Sequence, residues 1–102
     1  MKQYEIWDAI VRYEDDDGGA KQRPVLIWGE FAYVAAYKMT GTDRGDTGSE
    51  FKVEFWREAG LDKPTTIRIH KLLKLTKTDL VSYRGMLDRR DRIRFEMRLA
   101  SK

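Results

Sequence analysis

The first 70 positions of this chain hold five short runs of aliphatic, aromatic and β-branched residues, each cut off by glycine, proline or clustered polar residues. Runs of that length suit strands, and several in close succession point to a small β barrel. Tyr4 to Tyr13 alternates, with Ile6, Asp8, Ile10 and Arg12 on one side and Trp7, Ala9 and Val11 on the other. Both sides are partly apolar, as in a barrel strand with one face inside and one face covered. Glu14, Asp15, Asp16, Asp17, Gly18 and Gly19 then break the chain into a loop. Pro24 to Trp28 is continuously apolar and reads as a buried strand, and Ala32 to Met39 as another. Thr40 to Ser49 is rich in loop formers, and Phe51 to Phe55 alternates as a strand. Trp56-Arg57-Glu58-Ala59 before Gly60 predicts one helical turn ended by a glycine cap. Thr65 to His70 is β-branched and alternating, hence a further strand.

After His70 the pattern changes. Thr76-Lys77-Thr78-Asp79 and Asp88-Arg89-Arg90-Asp91 each resemble a helix capping box. From Asp88 onward Ile93, Met97 and Ala100 follow helical spacing, with Phe95 and Leu99 on a second side. The expectation is one domain over residues 1–102, mainly β. It is a small closed or half-closed barrel of about five to seven strands with one or two C-terminal helices.

Charge narrows the partners. The net charge of +3 hides an asymmetry: residues 1–66 carry 9 basic and 13 acidic side chains, residues 67–102 carry 11 and 4. A basic terminal segment with Arg84, Arg89, Arg90, Arg92, Arg94 and Arg98 suits a polyanion or an acidic protein, although such arginines commonly coat a solvated helix. The absence of cysteine excludes disulfides, thiolate zinc sites and a cysteine nucleophile. Asp15, Asp16 and Asp17 lack the alternate spacing of a calcium loop and read as a solvated turn. No apolar run approaches membrane-spanning length, so a soluble, cytoplasmic protein is expected.

Three stretches carry a family resemblance. Tyr4-Glu5-Ile6-Trp7, an acidic loop and Lys21-Gln22-Arg23-Pro24-Val25-Leu26-Ile27 come first. Ala36-Tyr37-Lys38-Met39-Thr40-Gly41-Thr42 follows, and the third is Trp56-Arg57-Glu58-Ala59-Gly60-Leu61-Asp62-Lys63-Pro64 running on to Arg68 and Lys71. In this order, from about Tyr4 to about Leu99, the chain resembles the PemK/MazF toxins of the Kid/CcdB superfamily. The resemblance implies an SH3-like barrel, a homodimer, a cognate antitoxin whose acidic tail covers the active groove, and cleavage of single-stranded messenger RNA without metal or other cofactor.

Cutting RNA through its own 2′-hydroxyl needs a base for that proton, an acid for the leaving 5′-oxygen, and cations around the phosphorane-like transition state. Arg68 and His70 stand two apart in a strand, so their side chains leave one face. By resemblance Arg68 is the acid and phosphate stabiliser, and His70 falls where some members carry the aspartate base. A histidine, whose ordinary pKa lies near neutrality, can take that role; as a lone histidine it is equally an ordinary surface strand residue. Arg23 matches a phosphate-contacting position, and arginine donates to phosphate in bidentate fashion. Thr40 matches the family's active-site threonine, and Gly41 stands where a serine or threonine is usual, so Thr42 takes over that hydroxyl. Arg44 and Lys71 complete the expected substrate-binding set. In their plain reading, Arg23, the two threonines and Arg44 are solvated or turn-forming residues.

The competing reading keeps the barrel and drops the chemistry: a non-catalytic SH3-like module that binds nucleic acid or a peptide, as a degenerate toxin or a phage interaction protein. Histidine in place of the aspartate and glycine at position 41 are the features that favour it.

Overall fold

The computed structural model of the chain describes residues 1–12, 19–41 and 50–101. Among these described residues, six strands and a C-terminal helix follow in the order β1 (Glu5–Arg12), β2 (Ala20–Glu30), β3 (Val34–Thr40), β4 (Glu50–Lys52), β5 (Thr66–Leu75), β6 (Leu80–Met86) and α1 (Arg89–Ala100). They form one antiparallel sheet ordered β4-β5-β3-β2-β1-β6. This is the mainly β architecture with a terminal helix that the run spacing predicts.

Element limits differ where tertiary pairing overrides local pattern. β2 starts at Ala20, well before Pro24, because Ala20 to Pro24 pairs with Asp8 to Arg12 of β1. Polar Lys21, Gln22 and Arg23 look like loop in the sequence but are held by the ladder of a long hairpin. β5 runs on past His70 to Leu75 through its pairing with β3. β4 is only three residues long, and Val53 continues it with one bond to the Thr65 carbonyl. The Thr76 segment forms a single 3₁₀ turn, in which the Thr76 N–H donates to Asp79 Oδ2 at 2.9 Å, and the chain then becomes β6. Of the two capping signals only Asp88 opens an α-helix, its side chain accepting the Arg90 N–H.

The ends of the sheet approach through the turn after β4. Leu61 N–H donates to the Trp56 carbonyl and Gly60 N–H to that of Arg57, closing a helical turn with Gly60 at φ +86°. A Cβ on Gly60 would meet the Arg84 carbonyl oxygen at 2.3 Å, and one on Gly85 would meet that of Ala59 at 2.2 Å. Two glycines therefore let the turn lie backbone to backbone on β6, and Arg84 reaches Asp62 across the junction.

Two apolar clusters fill the fold. The larger joins Ile6, Leu26, Tyr37, Met39, Phe51 and Ile67 to Phe95 of α1. Phe95 meets Phe51, Tyr37 and Trp28 edge-on at centroid distances of 5.3, 5.5 and 6.0 Å. The smaller joins Ala9, Val25, Ile27, Val34, Ala36 and Leu75. On α1 the buried side is Asp91 and Phe95, while Ile93 and Met97 are exposed, so the stripe that the spacing nominated is the outer one. Asp91 decides this rotation, since its carboxylate accepts the Glu54 and Phe55 N–H groups and Arg94 Nη1.

Candidate functional site

Strand alternation sorts the nominated residues. In β2, Arg23 shares a face with Val25 and Ile27; in β3, Lys38 and Thr40 share it with Ala36. In β5, buried Ile67 and Ile69 point to the larger core, which turns Thr66 and Arg68 the other way. In β4, Phe51 is core and Glu50 and Lys52 lie opposite it. The polar ends of four strands thus carry on from the smaller cluster as one face.

Register fixes their neighbours. Thr40 pairs with Thr66, and Thr66 with Lys52, so three strands contribute one row. The β2–β3 register sets Val25 against Lys38 and carries on toward Arg23 and Thr40. Adjacent strands lie about 4.8 Å apart, so the row, with Arg23 of β2 as its fourth member, is about 15 Å wide. Arg68 stands two residues along β5 from Thr66, directly opposite Glu50. Its Nε lies 3.6 Å from Glu50 Oε2, and its side chain is 26% exposed against 3% for Glu50. Arg98 of α1 donates to the Glu50 carbonyl at 3.1 Å and ties this corner to the helix.

His70 lies where β5 departs from regular pairing. Tyr37 opposes Leu72 and Met39 opposes Ile67, so β5 spends five steps where β3 spends two. Arg68, Ile69, His70 and Lys71 make up that bend. His70 is exposed and Lys71 half-buried. His70 stands two residues beyond Arg68, inside this bend, and lies beyond the last residue of β5 that pairs with β4.

Beside the row opens a cleft of about 250 Å³ lined by Arg23, Gly41, Lys63, Thr65, Arg84 and Asp8 among others. Arg84 Nε donates to Asp8 Oδ1 at 3.2 Å, and Ser82 donates to the other Asp8 oxygen at 3.3 Å. The stem of Lys63 crosses Gly41, where a Cβ would meet its Cε at 2.3 Å. The position that lacks a hydroxyl is therefore covered by an ammonium-bearing chain. Thr42 and Arg44 lie outside the described residues, as do Asp15, Asp16 and Asp17.

The structure thus gathers Arg23, Thr40 and Arg68 on one face, with His70 at its margin. Arg23, expected at the entrance to the second strand, sits inside β2 opposite Ala9, because the hairpin ladder extends past it. Several arginines of the terminal segment are committed to structural pairs, Arg84 with Asp8, Arg90 with Asp88 and Arg94 with Asp91. Glu50, Lys52, Lys63 and Thr66 were not legible as site residues. The alternation of Glu50 and Lys52 about Phe51 is the one local signal that aligns two of them with Arg68.

No protein-family model matches the sequence, and no curated protein matches it. Among solved structures the chain is similar in fold to one described as Mycobacterium tuberculosis toxin MazF-mt6. The TM-score is 0.69 at 21% identity, covering 93% of each chain. The fold is therefore that of a MazF/PemK-like toxin.

Proposed function

We propose that this chain is the toxin of a toxin–antitoxin pair and acts as a metal-independent, sequence-selective endoribonuclease on single-stranded messenger RNA. It works as a homodimer and is silenced by a cognate antitoxin. The observation that carries this reading is the common face of Arg23, Thr40 and Arg68, in a barrel whose solved likeness is named a toxin.

The chemistry follows from donors and charge. The 2′-oxygen attacks the adjacent phosphorus, a bond to the 5′-oxygen breaks, and a 2′,3′-cyclic phosphate and a 5′-hydroxyl result. Arg68 and Arg23 donate to the non-bridging oxygens as charge builds on them, which strengthens most in the transition state. The Thr40 hydroxyl orients the phosphate or the 2′-hydroxyl. His70 takes the 2′-proton, and Arg68 supplies the proton side of the leaving oxygen. Lys52, Lys63 and Lys71 add positive charge along the path of the strand, and Thr42 and Arg44 belong to the same substrate set.

The test is incubation of the purified chain with a long RNA in EDTA, followed by analysis of the ends. Discrete fragments with cyclic phosphate and 5′-hydroxyl termini are expected. RNA that stays intact with a folded protein, yet is retained by it, would support the non-catalytic binding module instead.

A further inference from the structure

Glu50 is out of place on a face that binds a polyanion. Its carboxylate stands 3.6 Å from the Arg68 guanidinium, and it is enclosed rather than solvated, with both oxygens buried. A buried ion pair is seldom more stabilising than an apolar pair of similar size, so stability alone gives little reason for it. Its geometry gives a better one. Glu50 is the registered cross-strand partner of Arg68, and its Oε2 meets the guanidinium on the Nε side. The guanidinium carries five N–H donors, so an approach on the Nε side leaves its Nη donors for a phosphate. The backbone of Glu50 is itself fixed by Arg98 from α1.

We propose that Glu50 is the positioning residue for Arg68, holding its guanidinium in the orientation that meets the scissile phosphate. The inference rests on the RNA-cleaving reading above. A long arginine side chain otherwise samples many rotamers, and ordering it before substrate arrives removes that ordering from the barrier. Arg68 then acts as a preorganised donor rather than a mobile cation.

The experiment compares steady-state cleavage of one RNA oligonucleotide by wild type, Glu50→Gln, Arg68→Ala and the double variant, with thermal unfolding of each. Glu50→Gln is expected to lower kcat about tenfold with KM unchanged within about twofold. In the Arg68→Ala background the same change is expected to have no further effect, because Glu50 acts only through Arg68. Should Glu50→Gln unfold, Glu50→Asp carries the comparison: it keeps the charge, withdraws the carboxylate by one methylene, and is expected to lower kcat to a smaller extent. Wild-type kcat in the glutamine variant, or a lower KM alone as from relieved repulsion of RNA, overturns the proposal. So do effects of the two substitutions that simply multiply. A wild type that cuts no RNA overturns the proposal together with the reading beneath it, and that result is visible before any variant is made.

Discussion

Asp91 on α1 accepts the backbone N–H of Phe55 at 2.8 Å, and so fastens the terminal helix to the chain just after β4. The same carboxylate takes the Glu54 N–H at 3.1 Å and Arg94 Nη1 at 2.7 Å while fully buried. Removing one partner of such a set leaves the others desolvated without compensation. Asp91→Ala is expected to cost about 3 kcal/mol, read from chemical denaturation. A cost under about 0.5 kcal/mol would mean that the helix is held by Phe95 packing alone.

Gly60 and Gly85 face each other across the turn-to-β6 contact. Either alanine substitution drives a methyl into a backbone carbonyl, and at Gly60 the left-handed φ adds its own cost. Each is expected to destabilise by at least about 2 kcal/mol. Unchanged thermal midpoints for both would contradict the close approach.

Asp88 supplies a pH signature. The Arg90 side chain, and then its backbone N–H, hold the Asp88 carboxyl down to about 2. A folded pKa below the unfolded value of about 3.9 means stability that is present above pH ~4 and lost as pH falls through about 2. Asp88→Ala is therefore expected to lower the melting temperature at neutral pH, with the gap to wild type closing between about pH 4 and pH 2. A gap that persists undiminished at pH 2 would show that the cap does not act through its charge.

His70 is the expected base. His70→Gln is expected to slow cleavage about 100-fold at neutral pH while leaving thermal stability unchanged, since the side chain is exposed. Full activity in that variant would assign the proton to another group.

Much of this architecture was legible because strand runs, a glycine cap at Gly60 and an N-cap at Asp88 are local signals. What stayed hidden was set by distant partners. Lys21 to Arg23 became strand through β1, and Leu72 to Leu75 through β3. The outward turn of Ile93 and Met97 follows from Asp91 reaching Glu54 and Phe55, which helical spacing does not encode. The spacing of Arg68 and His70 suggests a shared face, but the break in β3–β5 pairing around His70 is not written in that spacing. The buried carboxylate of Glu50 opposite Arg68 depends on the β4–β5 register, which no local pattern encodes.

The proposed role of Arg68 is to work on the scissile phosphate from a face it shares with Arg23 and Thr40. Its most direct measurement is the single-turnover cleavage rate of an RNA oligonucleotide by wild type and Arg68→Ala, in EDTA, with matched melting temperatures. Arg68→Ala is expected to lose at least about 100-fold with the fold intact. Equal rates for the two proteins would contradict it.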